Sequence, residues 1–203
     1  MEAVIAYFGL LVIGAFVMAG LVVASVADRR RVGLAQAWRA YAARYQYSFV
    51  DGRTPERAFR IQGSRDGIDF TLETDTRGTL VTRLVAHKLE SSEGRVVASL
   101  GGGRRGEPDG ARAATGDRHF DHVFEVRASA PLVVNAVLTP SVRLALQRFP
   151  TPMVGKALRL AVEGDEVTVE WAGGDVDPVP IDAAHTILRE VLSVSRGATG
   201  SSA

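Results

Sequence analysis

Cysteine is missing altogether from the 203 residues. Its absence excludes a disulfide framework, a thiolate zinc site, an iron–sulfur cluster and a cysteine nucleophile. It does not fix the compartment, because a cysteine-free domain is stable in either redox environment. Lysine is almost missing too: Lys88 and Lys156 are the only lysines among 24 basic residues. The arginines are dispersed along the chain, which reads as a bias toward arginine rather than as phosphate or RNA recognition. The formal net charge is +1, so no strong global field draws in nucleic acid. Catalytic signatures are also absent. There is no G-x-S-x-G elbow, no H-E-x-x-H and no S-x-x-K in a suitable context. The acid pairs Asp66/Asp69 and Asp165/Glu166 fall in predicted turns, where carboxylates are usually solvated. No cofactor motif survives inspection. Gly101, Gly103 and Gly106 spell G-x-G-x-x-G, but Pro108-Asp109-Gly110 follows where a dinucleotide fold needs a helix to open.

What the chain does have is a long run without charge. Residues 3–27 carry none, a stretch of 25. At 1.5 Å per residue a helix of that length covers about 37 Å, enough to cross a hydrocarbon core of about 30 Å with some tilt. Glu2 precedes the run and Arg29, Arg30 and Arg31 follow it. The positive-inside rule then puts the N-terminus outside and the remainder in the cytoplasm. A cleaved secretory signal is the rival reading, with Ser25-Val26-Ala27 as the cleavage site. The missing basic n-region and the length of the apolar run argue for an uncleaved anchor. Ala15 and Ala19, and Gly20 and Ala24, are each four apart, a spacing that lets two helices approach closely and permits a homo-oligomer through this segment. The expected organisation is an anchor with its basic stop at 1–31 and a soluble domain at 32–203.

Leu34, Trp38, Tyr41 and Tyr45 recur at helical spacing, which predicts an amphipathic helix over 33–44. Two roles are open to it. Its aromatics and Arg29–Arg31 can lie at a membrane surface, or its apolar face can pack on the soluble domain's sheet. Strand-like segments follow at 59–62, 68–74, 80–89 and 96–100, with turns at 63–67 and 91–94. Residues 101–116 hold six glycines and read as a long mobile loop. A short helix is expected over 130–138. Thr139 is a good N-cap with Pro140 at the first position of the next helix. Leu158, Leu160 and Val162 alternate, as do Val167, Val169 and Trp171, joined by a hairpin turn at 163–166. Asp182 is expected to cap a last helix to about Val194, leaving residues 197–203 disordered. The order of elements reads as α+β, with a mixed, mainly antiparallel sheet and packed helices.

The stretch DRHFDHVFEV, residues 117–126, raises the sharpest chemical question. Asp117, His119, Asp121 and His122 are candidate metal ligands, since histidines three apart share a helical face and a carboxylate can be a third ligand. The segment is short, however, and in a strand His119 and His122 would point to opposite faces. The other account has Phe120 and Phe124 anchoring the segment in the core and Asp117 capping a helical turn.

Residues 115–149 resemble a pattern in poorly characterised bacterial membrane-anchored proteins with a domain of unknown function. In that pattern F-x-x-x-F-x-V precedes L-T-P and an apolar helix. Here these are Phe120, Phe124 and Val126, then Leu138, Thr139 and Pro140. The resemblance implies a membrane-anchored α+β domain in the inner membrane and carries no chemistry.

These features together predict a single-pass membrane protein without a cofactor, whose cytoplasmic domain binds or scaffolds a partner protein and catalyses nothing. One alternative is a lipid-sensing domain that uses Arg29, Arg30, Arg31 and Trp38 at the bilayer surface. Another is a metal-dependent enzyme built on His119 and His122.

Overall fold

Alternating apolar and polar residues build one antiparallel sheet, and helices cover one of its faces. The computed structural model describes residues 2–52, 59–75, 80–100, 110–150, 157–174 and 176–199; at 2–15, 22, 26–28, 30, 75, 89–93 and 194–199 it describes the backbone alone. The elements are α1 (Glu2–Arg44), β1 (Ser48–Val50), β2 (Arg60–Arg65), β3 (Ile68–Asp75), β4 (Val81–Leu100), β5 (Ala111–Ala113), α2 (Arg118–Val123), β6 (Phe124–Ala128), α3 (Pro131–Val137), α4 (Pro140–Gln147), β7 (Leu158–Ala172) and α5 (Pro178–Thr199). The class is α+β.

The middle of the sheet is made by β4 and β7. β7 folds back on itself. Ala172 N–H donates to Ala157 O at 3.0 Å, and Arg159 reaches Glu170 at 3.4 Å, contacts that an extended 15-residue strand could not make. The reversal falls at residues 163–166, as the sequence predicts, with Gly164 at φ 59°. β4 frames this hairpin. Residues 81–87 pair with 166–172 on one flank, and 95–100 pair with 158–163 on the other. The reversal predicted at 91–94 is therefore real, but it is an arch around the tip of β7, where Ser92 pairs with Gly164. Outside the frame, β3, β2 and β1 follow the first arm of β4, while β6 and β5 follow the second.

One face of this sheet carries Ile61, Leu72, Leu84, Val169, Leu160 and Val126, all buried. Trp38 and Tyr41 of α1 cover it, with Phe120 of α2, Val134 of α3, Leu146 of α4 and Ile187 and Leu188 of α5. Each fully buried side chain of this kind contributes about 1.5–3 kcal/mol. The opposite face carries a charged row. Neighbouring strands place Arg60, Glu73, Arg83 and Glu170 side by side, and Arg159 continues the row across the β7 hairpin. Contacts run through it without a break: Arg60–Glu73 at 3.1 Å, Glu73–Arg83 at 3.5 Å, Arg83–Glu170 at 2.7 Å and Glu170–Arg159 at 3.4 Å.

Four expectations need correction. The boundary at 31/32 is not a break, because α1 is one helix of 43 residues. Alanine, leucine, arginine and glutamine fill its second half, and the single Gly33 costs only about 1 kcal/mol. It stops where Gln46 takes φ 58° and Tyr47 N–H closes on Ala42 O at 2.8 Å, the Schellman arrangement. Residues 101–116 are not loop throughout: Ala111–Ala113 adds an edge strand to β6, since backbone pairing does not require apolar side chains, while residues 101–109, the glycine motif among them, lie outside the described residues. Asp182 is not a cap. α5 begins at Pro178, and the Asp177 carboxylate accepts from Val179 N–H at 3.0 Å. Prolines fit there because first-turn amides have no partner inside the helix. Finally, α5 runs to Thr199, three residues into the expected tail; residues 200–203 lie outside the described residues.

Candidate functional site

Among the described residues, many of the exposed large apolar side chains lie on the part of α1 that precedes the domain and around it, with Leu132 and Val179 exposed elsewhere. β1 runs back along α1 toward the helix N-terminus and ties to it twice. Arg39 reaches Asp51 at 3.7 Å, and Arg31 Nη2 donates to Gly52 O at 2.5 Å. Trp38 is wholly buried, and its Nε1–H donates to Gly174 O at 2.9 Å. Leu80 packs directly over Gly174, where a Cβ would lie 2.4 Å from Leu80 Cδ2 and push that side chain aside. α1 is thus tied to the sheet between Arg31 and Ala42, and its helix runs unbroken into the residues before that segment.

Before the clamp, the described apolar side chains of α1 are exposed. Phe16 is 76% exposed, Met18 63% and Val23 68%, and Val17 and Leu21 are also open. Consecutive apolar residues point in every direction from a helix, so this stretch has no polar side to turn toward water. Side chains are described only from 16 onward in the charge-free run. Among the described residues no helix is long and apolar enough to cross a membrane.

The expected membrane-surface residues therefore divide. Arg29 is exposed, the Arg30 side chain lies outside the described residues, and Arg31 is held by Gly52. Trp38 is removed from the set. Its ring packs against Phe59 at 6.1 Å, because the helical stripe that carries it finds the sheet's apolar face. Tyr41 is buried as well.

The 117–122 stretch resolves as local scaffolding. The Asp117 carboxylate caps α2, accepting from His119 N–H and Phe120 N–H, both at 3.1 Å. Arg143 Nε lies 3.5 Å from it. Asp121 turns away and accepts from Thr115 N–H, Thr115 Oγ1–H and Gly116 N–H. His119 and His122 point into solvent. Both carboxylates are thus committed to backbone donors, and no group of three or more metal-binding side chains forms among the described residues. Phe120 and Phe124 stack at 4.5 Å and are buried. Thr139 Oγ1 accepts from Val142 N–H at 3.4 Å, with Pro140 opening α4. Of the two acid pairs, Asp165 sits at the β7 turn 3.5 Å from His87 Nδ1, and Asp66 at the β2–β3 turn with φ 55°. Asp66 and Asp165 thus fall in turns as expected, but Asp69 lies in β3 opposite Ser64, and Glu166 lies in β7 opposite His87.

A second cluster at the far end of α1 is not apparent from motifs. His185 is buried, its Nε2 has no hydrogen-bond partner, and its ring meets Phe70 edge-on at 4.5 Å. Burial pushes its imidazole down to about 4, and the nearby Arg65 guanidinium acts in the same direction. Burial likewise pushes the Tyr41 hydroxyl upward. Tyr45 and Tyr47 stack beside it, and the Tyr47 ring lies over Gly63, where any Cβ would collide with it. Arg65 and Asp182 close the cluster with an ion pair. The one available signal is that His185 falls four residues after Ile181 and three before Leu188, on the buried stripe of α5.

No family model matches the chain, and no curated protein matches it significantly. A solved structure of similar fold is the mycobacterial trehalose monomycolate transport factor A, TtfA. It aligns with a TM-score of 0.62 at 12% identity, over 81% of this chain and 95% of that one. At that identity the likeness is one of fold.

Proposed function

We propose that α1 anchors this chain in a bilayer and that the α+β domain is a non-catalytic binding module, serving a protein partner that moves or senses lipid on the cytoplasmic side. The observation that carries the reading is the exposed apolar stretch of α1 at Phe16, Val17, Met18, Leu21 and Val23, continuous with a segment whose Trp38, Tyr41 and Ala42 are buried in the core. A soluble protein rarely leaves such a surface to water. The charge-free residues 3–27 and the arginines after them supply length and orientation. The likeness of fold to a transport factor for a mycolate-bearing lipid favours a lipid-related setting. The absence of any motif for covalent or metal chemistry favours binding over catalysis. The competing picture of an interfacial Trp38/Tyr41/Tyr45 belt loses its residues, because Trp38 and Tyr41 lie in the core.

Membranes of cells that express the full chain provide the test. The native chain is expected to stay with the bilayer through an alkaline carbonate wash. The double substitution Phe16→Arg/Leu21→Arg adds about 2.5–3.5 kcal/mol per charge at the bilayer centre, leaves the clamp intact, and is expected to release the protein. Release of the unaltered chain by carbonate would sink the anchor. Chemical cross-linking in the same membranes is expected to capture a membrane protein through the domain; capture of none would sink the binding role and leave the anchor standing.

A further inference from the structure

The sheet edge at β5 has room for one more strand, and we infer that it pairs with an extended segment of a partner protein whose central side chain is acidic. This deepens the binding-module proposal and rests on it. The sheet ends at β1 on one side and at β5 on the other. α1 is fastened beside β1 by the Arg39–Asp51 and Arg31–Gly52 contacts. Among the described residues no further strand pairs with β5. Nothing in β5 blocks such pairing. Ala111–Arg112–Ala113 holds no proline, and its register with β6 runs without a bulge. The unpaired backbone N–H and C=O groups of an edge strand are a template for a strand from another chain.

The register decides what that strand carries. Ala113 lies opposite Val126 and packs against the core, so alternation sends Arg112 to the open face, opposite Arg127. Directly opposed side chains lie about 4.5–5.5 Å apart at Cβ, and like charges so placed repel. Along Arg60, Glu73, Arg83, Glu170 and Arg159 the sign of charge changes at every step. From Arg127 to Arg112 it does not. Arg127 is held by Glu125 at 2.8 Å, while Arg112 is exposed and pairs with no carboxylate among the described residues. An acid on the next strand, about 4.8 Å away, restores the alternation. The residues on either side of that acid fall beside Ala111 and Ala113, on the helix-covered side, so the segment reads apolar, acidic, apolar. A second copy of this chain does not fit. Antiparallel self-pairing about Arg112 would set two copies of that arginine face to face, with Arg127 behind each.

The probe is a short peptide of threonine, valine, glutamate, valine and threonine, amidated and labelled with fluorescein at its N-terminus. Its binding to the full chain in detergent is read by fluorescence anisotropy. One companion peptide has lysine in place of glutamate, and another is N-methylated at its three central residues. The glutamate peptide is expected to bind at least about fivefold more tightly than the lysine peptide, the scale of a cross-strand charge pair. Arg112→Glu is expected to reverse that preference, and since Arg112 is exposed the core is untouched. N-methylation, which removes the backbone donors, is expected to abolish binding. No binding of the glutamate peptide at millimolar concentration overturns the edge site. So does a preference that Arg112→Glu leaves unchanged. Undiminished binding of the N-methylated peptide means charge attraction alone and overturns strand addition. The membrane cross-linking above keeps the two proposals apart. A partner captured equally by the native and Arg112→Glu chains overturns the edge site and leaves the binding module standing; capture of none removes the binding module itself.

Discussion

Two neighbouring rows cross this sheet one residue apart. On the helix-covered face run Ile61, Leu72, Leu84, Val169 and Leu160, each with no exposed surface. On the open face run Arg60, Glu73, Arg83, Glu170 and Arg159, linked by ion pairs from end to end. The strands and their registers are the same, so the difference is purely one of side-chain physics. The apolar row gains by leaving water and is non-directional. The charged row gains by pairing, and each of its members costs energy if its partner is lost. A period of two sends alternate residues to opposite faces, so one backbone pairing serves both.

The comparison is sharpened most by cutting into the covered face. Trp38→Ala removes the side chain that joins α1 to the sheet and strands Gly174 O. The expected loss is about 3–5 kcal/mol, read by urea denaturation of the full chain in detergent. A loss under about 1 kcal/mol, the range of surface substitutions, would mean that α1 is not part of the domain core.

Next in size is a pH effect from the same face. His185 is neutral when folded because burial holds it near 4, against about 6.5 unfolded. The unfolded chain then binds the extra proton between those values, so stability is full above pH 6.5 and falls as pH drops toward 4. The loss is about 3 kcal/mol across that window. His185→Leu should flatten the dependence. An unchanged slope in that variant would assign the pH effect to other groups.

The charged row comes third. Glu170 accepts from both Arg83 and Arg159, and its side chain is only 7% exposed. Glu170→Gln should cost about 1–3 kcal/mol, since Arg83 and Arg159 lose the carboxylate they share in a half-buried setting, with Arg83 keeping Glu73. Equal stability of native and variant would reduce the row to ornament. At the rim of the same row Arg60 is 52% exposed. Arg60→Ala should cost less than about 1 kcal/mol, and the effect should shrink further in high salt. If it matched Glu170→Gln, the distinction between the centre and the edge of the row would fail.

Much of this was legible in the chain itself. Alternation located the strands, including the reversal at 163–166, because a hairpin must return Val167, Val169 and Trp171 to the face of Leu158, Leu160 and Val162. Asp117, Thr139 and Pro140 announced helix starts, because capping is a local matter of side chain and nearby amide. The bare run of α1 was visible as missing charge. Tertiary structure decided what depended on partners far along the chain. β4 opens to admit β7 between its arms, a choice made by pairing residues from 58 to 91 positions apart in sequence. Trp38 became core instead of membrane surface because a stripe of aromatics fits either environment until something covers it. His185, isolated in the sequence, acquired Phe70, Arg65 and Asp182 as neighbours only through packing. Local rules fix where an element begins and which side is apolar; only the folded chain fixes what that side meets.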